Sequence, residues 1–257
     1  MKQWLVLAFC MLAYAQAHAY RLTEDFSNGF YWASLPVEFM VMDSDPTRLA
    51  LIEDLAQEAV GEWEEALVDN LWNVSSQQGS PVSSRNIIRW STRFAAETGL
   101  SESSTLAVAI RYTGGPYVAR AEIVLNGSHP LNSFPNQLRT VLVHELGHTL
   151  GLDHSDVGEA VMAPTLQINY QGLHWDDEQG MASTVLETKR RQAIGYVSPL
   201  SVRTEESSKS ALSCGTVDIG SSDGPSSGGP GSPMLSLGLG LLLALAAFLP
   251  AFKSRAT

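Results

Sequence analysis

The hydrophobic positions of the chain follow first a strand period and then a helix period. In residues 35–43, "LPVEFMVMD", apolar side chains recur at about every second position, which predicts a strand. In residues 47–70, "TRLALIEDLAQEAVGEWEEALVDN", apolar side chains recur every three or four positions and glutamates occupy the other faces, which predicts an amphipathic helix. Asp45 and Pro46 are suited to begin it, because aspartate caps free N–H groups and proline fits the first turn.

Further along, short apolar runs are separated by turn-forming residues. Residues 74–84, "VSSQQGSPVSS", are predicted to be a loop, and "NIIRWS", "TLAVAIRY" and "AEIVLNG" are predicted strands, the last two joined by the turn-rich "TGGPYVAR". Helices are expected over residues 135–151, ending at Gly151, and over residues 176–191, which begin with acids and end with bases. These elements are typical of an α+β domain.

The N-terminal segment differs in composition from the domain that follows it. Residues 1–19 combine one lysine, an apolar run and the small-x-small sequence Ala17-His18-Ala19, which predicts a secretory signal peptide cleaved after Ala19. An uncleaved membrane anchor is the alternative. With cleavage, the mature chain begins at Tyr20, and residues 20–191 are expected to form one exported domain.

A second hydrophobic run lies near the C-terminus. Residues 192–233 are rich in serine, glycine and proline, which is typical of a linker. Residues 234–252 carry no charge and are followed by the basic tail 253–257, which predicts a transmembrane segment with its tail in the cytoplasm. The arrangement resembles the bacterial GlyGly-CTERM sorting signal, which implies cleavage by a rhomboid-like membrane protease; a plain anchor is the alternative. Either one leaves the domain at the cell surface or releases it outside.

Charge and cysteine content narrow the functional classes. The chain has 27 acidic and 16 basic residues and a formal net charge of -11, so it lacks the excess of lysine and arginine that binds nucleic acid. Of its two cysteines, Cys10 lies in the signal segment and Cys214 in the linker, so no disulfide is expected within the domain. The stability of the domain must therefore come from its hydrophobic core, with a further contribution from bound metal.

The residues with the clearest chemical meaning lie in "HELGHTLGLDHSDVGEAVMAP". His144 and His148 are four residues apart, so both imidazoles project from one helix face and can bind one metal ion. Gly151 permits a sharp turn that brings His154 back as a third ligand. Three protein ligands leave one position of a zinc ion open, which indicates one catalytic Zn²⁺. Glu145 is then the expected general base for a water that attacks an amide carbonyl.

This pattern, followed by Met162, resembles the metzincin zinc endopeptidases. Ser155 after the third histidine, together with "VMAP", resembles the matrixins, the matrix-metalloprotease group and its bacterial relatives. The resemblance implies a twisted mixed sheet with an active-site helix, a second long helix and a C-terminal helix. It also implies that Met162 forms a turn beneath the zinc, that residues 121–126 are the edge strand on which peptides bind, and that Asp176 and Asp177 hold the last helix to the Met162 turn or a chain terminus.

Some features of that family are missing from the sequence. No tyrosine follows Met162 at the position of a fifth zinc ligand, and no N-terminal pro-segment with a cysteine switch is recognisable, so latency through a zinc-bound cysteine is not expected. Calcium binding is without a recognisable motif. His129 and His174 are isolated, which favours surface or packing roles over metal binding. Residues 163–174 are expected to border the substrate pocket.

Three functional hypotheses follow from these observations. The first is a secreted or surface-anchored zinc endopeptidase that acts on protein or peptide substrates. The second is a catalytically inactive surface binding module that keeps the metzincin fold and its zinc. The third is a sorted surface protein whose zinc is only structural. Zinc content and peptide cleavage, measured with and without Glu145, distinguish the first from the other two.

Overall fold

The computed structural model describes residues 20–195 and 215–218. The described strands belong to one sheet and are, in chain order, β1 (Tyr31–Trp32), β2 (Val37–Asp43), β3 (Trp72–Gln78), β4 (Ile87–Ser91), β5 (Thr105–Gly114), β6 (Tyr117–Asn126) and β7 (Gly215–Asp218). The described α-helices are α1 (Glu24–Ser27), α2 (Pro46–Leu67), α3 (Phe94–Thr98), α4 (Pro135–Thr149) and α5 (Trp175–Ala193).

The two terminal segments predicted from the sequence, residues 1–19 and 234–252, lie outside the described residues. None of the helices in the described part of the chain combines the length and apolar character needed to cross a bilayer. The signal peptide, the linker boundaries and the sorting segment therefore stay predictions.

The sheet is mixed, as expected for this fold class. Its strand order is β3-β2-β4-β6-β5-β7, with β1 also paired to β6. Strands β3, β2, β4 and β6 are parallel, whereas β5 is antiparallel to β6. The prediction that residues 121–126 form the edge strand is wrong, because they belong to β6, which lies between β4 and β5. The tight turn at Gly115-Pro116 makes β5 and β6 a hairpin, and β6 is the arm that pairs inward with β4.

The segment predicted as a loop begins with a strand. Residues 74–78 belong to β3, which pairs in parallel with β2 from Val37↔Trp72 to Asp43↔Gln78. Trp72 is buried, but the following serines and glutamines are largely exposed, because β3 is the outer strand of the sheet. The connection "TGGPYVAR" is also mostly strand, since β5 and β6 extend to its central turn.

Helix α2 forms where the sequence predicts it. The Asp45 side chain accepts hydrogen bonds from the backbone N–H groups of Thr47 and Arg48, at 2.9 and 3.3 Å, which satisfies two free donors of the first turn. The apolar stripe of the helix, which includes Ile52 and Trp63, is buried in the main core. Helix α2 packs against both the sheet and α4, so it supports the histidine-bearing helix from one side.

Helix α4 is buried and is held by three indole N–H groups. Trp63 Nε1 donates to the Val143 carbonyl at 2.9 Å, and Trp32 Nε1 donates to the Thr149 carbonyl at 2.7 Å. Trp72 Nε1 donates to Thr149 Oγ1 at 3.1 Å. Because these tryptophans lie on α2, β1 and β3, the position of α4 is fixed from three neighbouring elements.

Candidate metal centre

Three histidines from the predicted motif converge in the structure. His144 and His148 lie one turn apart on α4, and their Nε2 atoms are 2.9 Å apart. His154 follows the helix and joins them, so that one candidate ligand atom from each residue lies within 4.8 Å of the others. His144 and His148 are almost fully buried. The structure thus brings together the three residues that the motif predicts as metal ligands.

Backbone carbonyls fix the orientation of the two helical imidazoles. His144 Nδ1 donates to the Val161 carbonyl and His148 Nδ1 donates to the Leu152 carbonyl, each at 2.6 Å. A carbonyl oxygen can only accept, so Nδ1 carries the proton and Nε2 presents a lone pair. Burial, with a smaller contribution from His154, lowers the pKa of His144 to about 3. Burial also lowers the pKa of His148 well below its usual range, so both rings stay neutral, the form that binds metal.

The donor set fits a metal ion. The two Nε2 lone pairs point toward each other at 2.9 Å, and neither can donate a hydrogen bond while its ring is in the tautomer fixed by the carbonyls. Facing lone pairs in a buried place repel unless a cation lies between them. Imidazole nitrogens are favoured zinc ligands, and three of them leave a coordination position for water or substrate. His144, His148 and His154 are therefore the residues that would hold the ion.

The turn after α4 depends on Gly151. This residue has a φ of +99°, a left-handed conformation that side chains disfavour, and a Cβ atom there would lie 2.2 Å from the Phe26 ring. The N-terminal segment also pairs with this turn, since Thr23 N donates to the Gly151 carbonyl and Asp153 N donates to the Arg21 carbonyl. Residues 21–26 therefore hold the turn that places His154.

Met162 lies against the face of α4 that carries the histidines. A Cβ atom at Gly147, midway along the motif, would lie 2.4 Å from Met162 Sδ, so the helix and this side chain are in close contact. Met162 is 2% exposed, and its carbonyl accepts a hydrogen bond from Ser155 N at 2.8 Å. Met162 and its neighbours therefore pack against the helix that carries two of the histidines, and a turn beneath the zinc stays a prediction of the resemblance.

Glu145 lies between the two helical histidines in the sequence, and it is completely buried. Neither of its carboxylate oxygens has a hydrogen bond of normal geometry to a protein group. Burial raises its pKa well above the usual range, against smaller opposite effects of the Ala109 backbone N–H and the Arg111 guanidinium. Such a carboxylate next to a metal-ligating histidine is typical of a group that exchanges a proton during catalysis.

A comparison with protein-family models agrees with this geometry. Residues 57–184 match the model of Matrixin, a peptidase family, and the matched region contains all three histidines and Glu145. The chain therefore belongs to the matrixin family. Matrixins are zinc metallopeptidases. The match and the histidine cluster together confirm the family resemblance and the fold expected from it. A comparison with curated proteins gives no match.

The matrixin domain uses its two adjacent aspartates to join α5 to the Met162 segment. Asp177 accepts hydrogen bonds from the backbone N–H groups of Val161 and Met162, at 2.9 and 3.0 Å. Asp176 accepts from Ser155 Oγ at 2.6 Å. Both carboxylates are buried. The position of Ser155 therefore has a structural reason, because its hydroxyl ties the loop of the third histidine to α5.

The other two histidines of the matrixin domain lie outside this cluster. His174 begins α5, where its Nδ1 accepts a hydrogen bond from Asp176 N at 3.2 Å. His129 is buried next to the 3₁₀ turn Pro130–Ser133, so it is a packing residue rather than a surface one. That residues 163–174 border a substrate pocket stays a prediction.

Two charged residues that support α4 are not predicted from the sequence. Arg111 lies on β5, and its Nη1 donates to the carbonyl of His148 at 2.6 Å. Asp25 of α1 pairs with the same guanidinium. A single arginine in the apolar run "TLAVAIRY" was the signal that could have drawn attention to this pair.

Proposed function

We propose that this matrixin is a zinc-dependent endopeptidase that acts outside the cytoplasm. His144, His148 and His154 would hold the ion through imidazole nitrogens. When bound, zinc supplies a Lewis acid for the substrate carbonyl and makes water more acidic. The observation that carries the proposal is Glu145, a buried carboxylate without a normal hydrogen bond beside the histidine cluster.

Glu145 would move the proton of the reaction. One carboxylate oxygen accepts a proton from the attacking water while the water oxygen forms a bond with the carbonyl carbon of the peptide. The same carboxyl group then gives that proton to the leaving nitrogen as the C–N bond breaks, so Glu145 returns to its starting form. Burial raises the pKa of this carboxyl, and the nearby Ala109 N–H and Arg111 guanidinium oppose that effect only in part, so Glu145 holds a transferred proton readily.

The edge of β5 would bind the substrate. Among the strands of residues 20–195, β5 is the last on its side of the sheet and packs against α4, whereas β6 is covered by strands on both sides. An extended peptide can add to such an edge through backbone hydrogen bonds, which bind many sequences in one orientation. Binding along a strand supports cleavage within a chain rather than at its end.

The predicted location supports a substrate outside the cytoplasm. Residues 1–19 have the pattern of a secretory signal peptide, and residues 234–252 have that of a membrane or sorting segment. Both predictions come from the sequence alone. They are consistent with a peptidase that is surface-anchored or released.

The proposal is tested by zinc analysis and a peptide-library digest on the mature chain from Tyr20, with Glu145→Gln and His148→Ala as variants. We expect the wild-type protein to bind one zinc per chain and to cleave internal peptide bonds. Glu145→Gln should keep the zinc and lose cleavage at least about a hundredfold, since one general base contributes that much. His148→Ala should lose zinc. Equal cleavage by wild type and Glu145→Gln would refute the proposed role of Glu145.

A further inference from the structure

The outer edge of β5 has a partner from the same chain. Strand β7, Gly215–Asp218, pairs with β5 in antiparallel orientation, with the register Thr105↔Asp218, Val108↔Thr216 and Ala109↔Gly215. Strand β7 also contacts α4. A described segment of the C-terminal region therefore occupies the edge on which a peptide substrate would add.

The register places β7 at the level of the candidate active site. Ala109, which pairs with Gly215, lies on β5, the strand that packs against the histidine-bearing helix α4. Two residues further along β5, Arg111 donates to the carbonyl of His148. The pairing with β7 thus lies on β5 close to its contact with the backbone of His148, rather than at a distant end of the strand.

We infer that Gly215–Asp218 acts as an intramolecular competitor for the peptide-binding edge of β5. The inference rests on the proposed peptidase function, because competition has meaning only where a substrate binds. Antiparallel pairing uses backbone hydrogen bonds, which are the same contacts that an added substrate strand would make. The segment and a substrate strand therefore cannot pair with Val108 and Ala109 at the same time.

The connection to the domain makes a short competitor effective. Residues 196–214 join the segment to the end of the described domain. A tether of this length holds the segment at an effective concentration in the millimolar range, so even weak pairing competes with a dilute substrate. Release of the segment by a partner or by cleavage of the tether would open the edge.

The test uses the mature chain with Thr216→Pro and Val217→Pro together, because proline removes the N–H groups needed for strand pairing. Thr204→Pro, in the tether, is the matched control. Hydrogen exchange of residues 105–114 reports the pairing without any activity. We expect the double variant to exchange faster there, whereas the control exchanges like wild type.

The same proteins are then compared in peptide cleavage. We expect kcat/KM of the double variant to be about tenfold above wild type, since the tethered competitor is removed. Equal kcat/KM in both, or unchanged exchange in the double variant, would overturn the inference and leave the peptidase proposal intact. Faster exchange with no cleavage by any of the proteins would instead refute the proposed function, and the competitor role with it.

One further variant separates backbone pairing from a thiol effect, because Cys214 directly precedes the strand in the sequence. Cys214→Ser keeps the N–H groups of residues 215–218, so we expect its kcat/KM to equal that of wild type. A tenfold rise in Cys214→Ser, about equal to that of the double proline variant, would overturn strand pairing as the cause of the inhibition.

Discussion

Arg111 and Asp25 form a buried ion pair next to α4, the helix that carries His144 and His148. Arg111 Nε lies 2.7 Å from Asp25 Oδ2, and the two side chains are 0% and 4% exposed. The same guanidinium donates to the carbonyl of His148, and Thr23 Oγ1 donates to Asp25 at 2.6 Å. The pair thus connects the N-terminal segment, strand β5 and a candidate metal ligand.

Removing one partner of this pair should strongly destabilise the domain. We expect Arg111→Met to lower the free energy of unfolding by about 3–5 kcal/mol, because Asp25 would be left buried and unpaired. Urea unfolding followed by tryptophan fluorescence measures the change. Arg93→Met is the control, since the Arg93 side chain is 78% exposed and its ion pair with Glu97 should contribute less than about 1 kcal/mol. Similar losses in both variants would contradict the importance of the buried pair.

Gly151→Ala should damage both stability and metal binding. The left-handed backbone and the contact of the new Cβ with Phe26 should together cost about 2–4 kcal/mol. Zinc affinity should fall as well, because the turn positions His154. Gly99→Ala is the matched control: Gly99 also has a positive φ, +78°, but nothing lies within 4 Å of its added Cβ. Zinc titration should therefore be normal for Gly99→Ala, and a normal titration of Gly151→Ala would contradict the role of the turn.

Asp177→Ala should loosen the packing of the Met162 segment against α4. The Asp177 carboxylate accepts hydrogen bonds from the backbone N–H groups of Val161, Met162 and His174. Without it these donors lose their partner, and we expect a loss of about 3 kcal/mol in unfolding free energy. Thermal unfolding and zinc titration measure the effect, with the exposed Asp156→Ala as control. A variant that unfolds and titrates like this control would show that the aspartate is dispensable.

Asp43 provides a prediction about pH. Burial raises its pKa, but hydrogen bonds from the Arg48 side chain and the Asp45 backbone N–H outweigh this effect and lower the pKa below the usual value. As the pH falls, the Asp43 carboxylate therefore binds a proton in the unfolded chain before it does so in the folded chain. Its contribution to the unfolding free energy is present above about pH 4 and is lost as the pH falls further.

The measurement compares the unfolding free energies of wild type and Asp43→Asn as a function of pH. We expect a difference of about 1–2 kcal/mol at pH 7, which shrinks as the pH falls below about 4. Asp54→Asn is the control, because Asp54 is exposed on α2. A difference for Asp43→Asn that does not change with pH would contradict the depressed pKa.

Local patterns in the sequence predicted the centre of the site well. The histidine spacing needs only one helix and one turn, so it is set by neighbours in the chain, and the capping by Asp45 is equally local. The resemblance to the matrixins added Met162 and the two aspartates of α5. These features did not depend on knowing how distant segments meet.

Features that depend on distant segments were not predictable in this way. Strand β3 was interpreted as a loop because its polar side chains lie at the outer side of the sheet, where no apolar alternation is required. Residues 121–126 were predicted to be the edge strand because the sequence of a hairpin does not indicate which of its two strands pairs inward in the sheet. Asp25 and Arg111 are 86 residues apart in the chain, so their pairing leaves no local pattern.

The three indole hydrogen bonds to α4 have a consequence for the free energy of metal binding. They fix the helix at Val143 and Thr149, on either side of the two helical histidines, and carbonyls fix the rings themselves. The cost in conformational entropy of aligning these ligands is therefore met when the chain folds. In such a preorganised site, little of the metal's binding free energy is lost to ordering the protein.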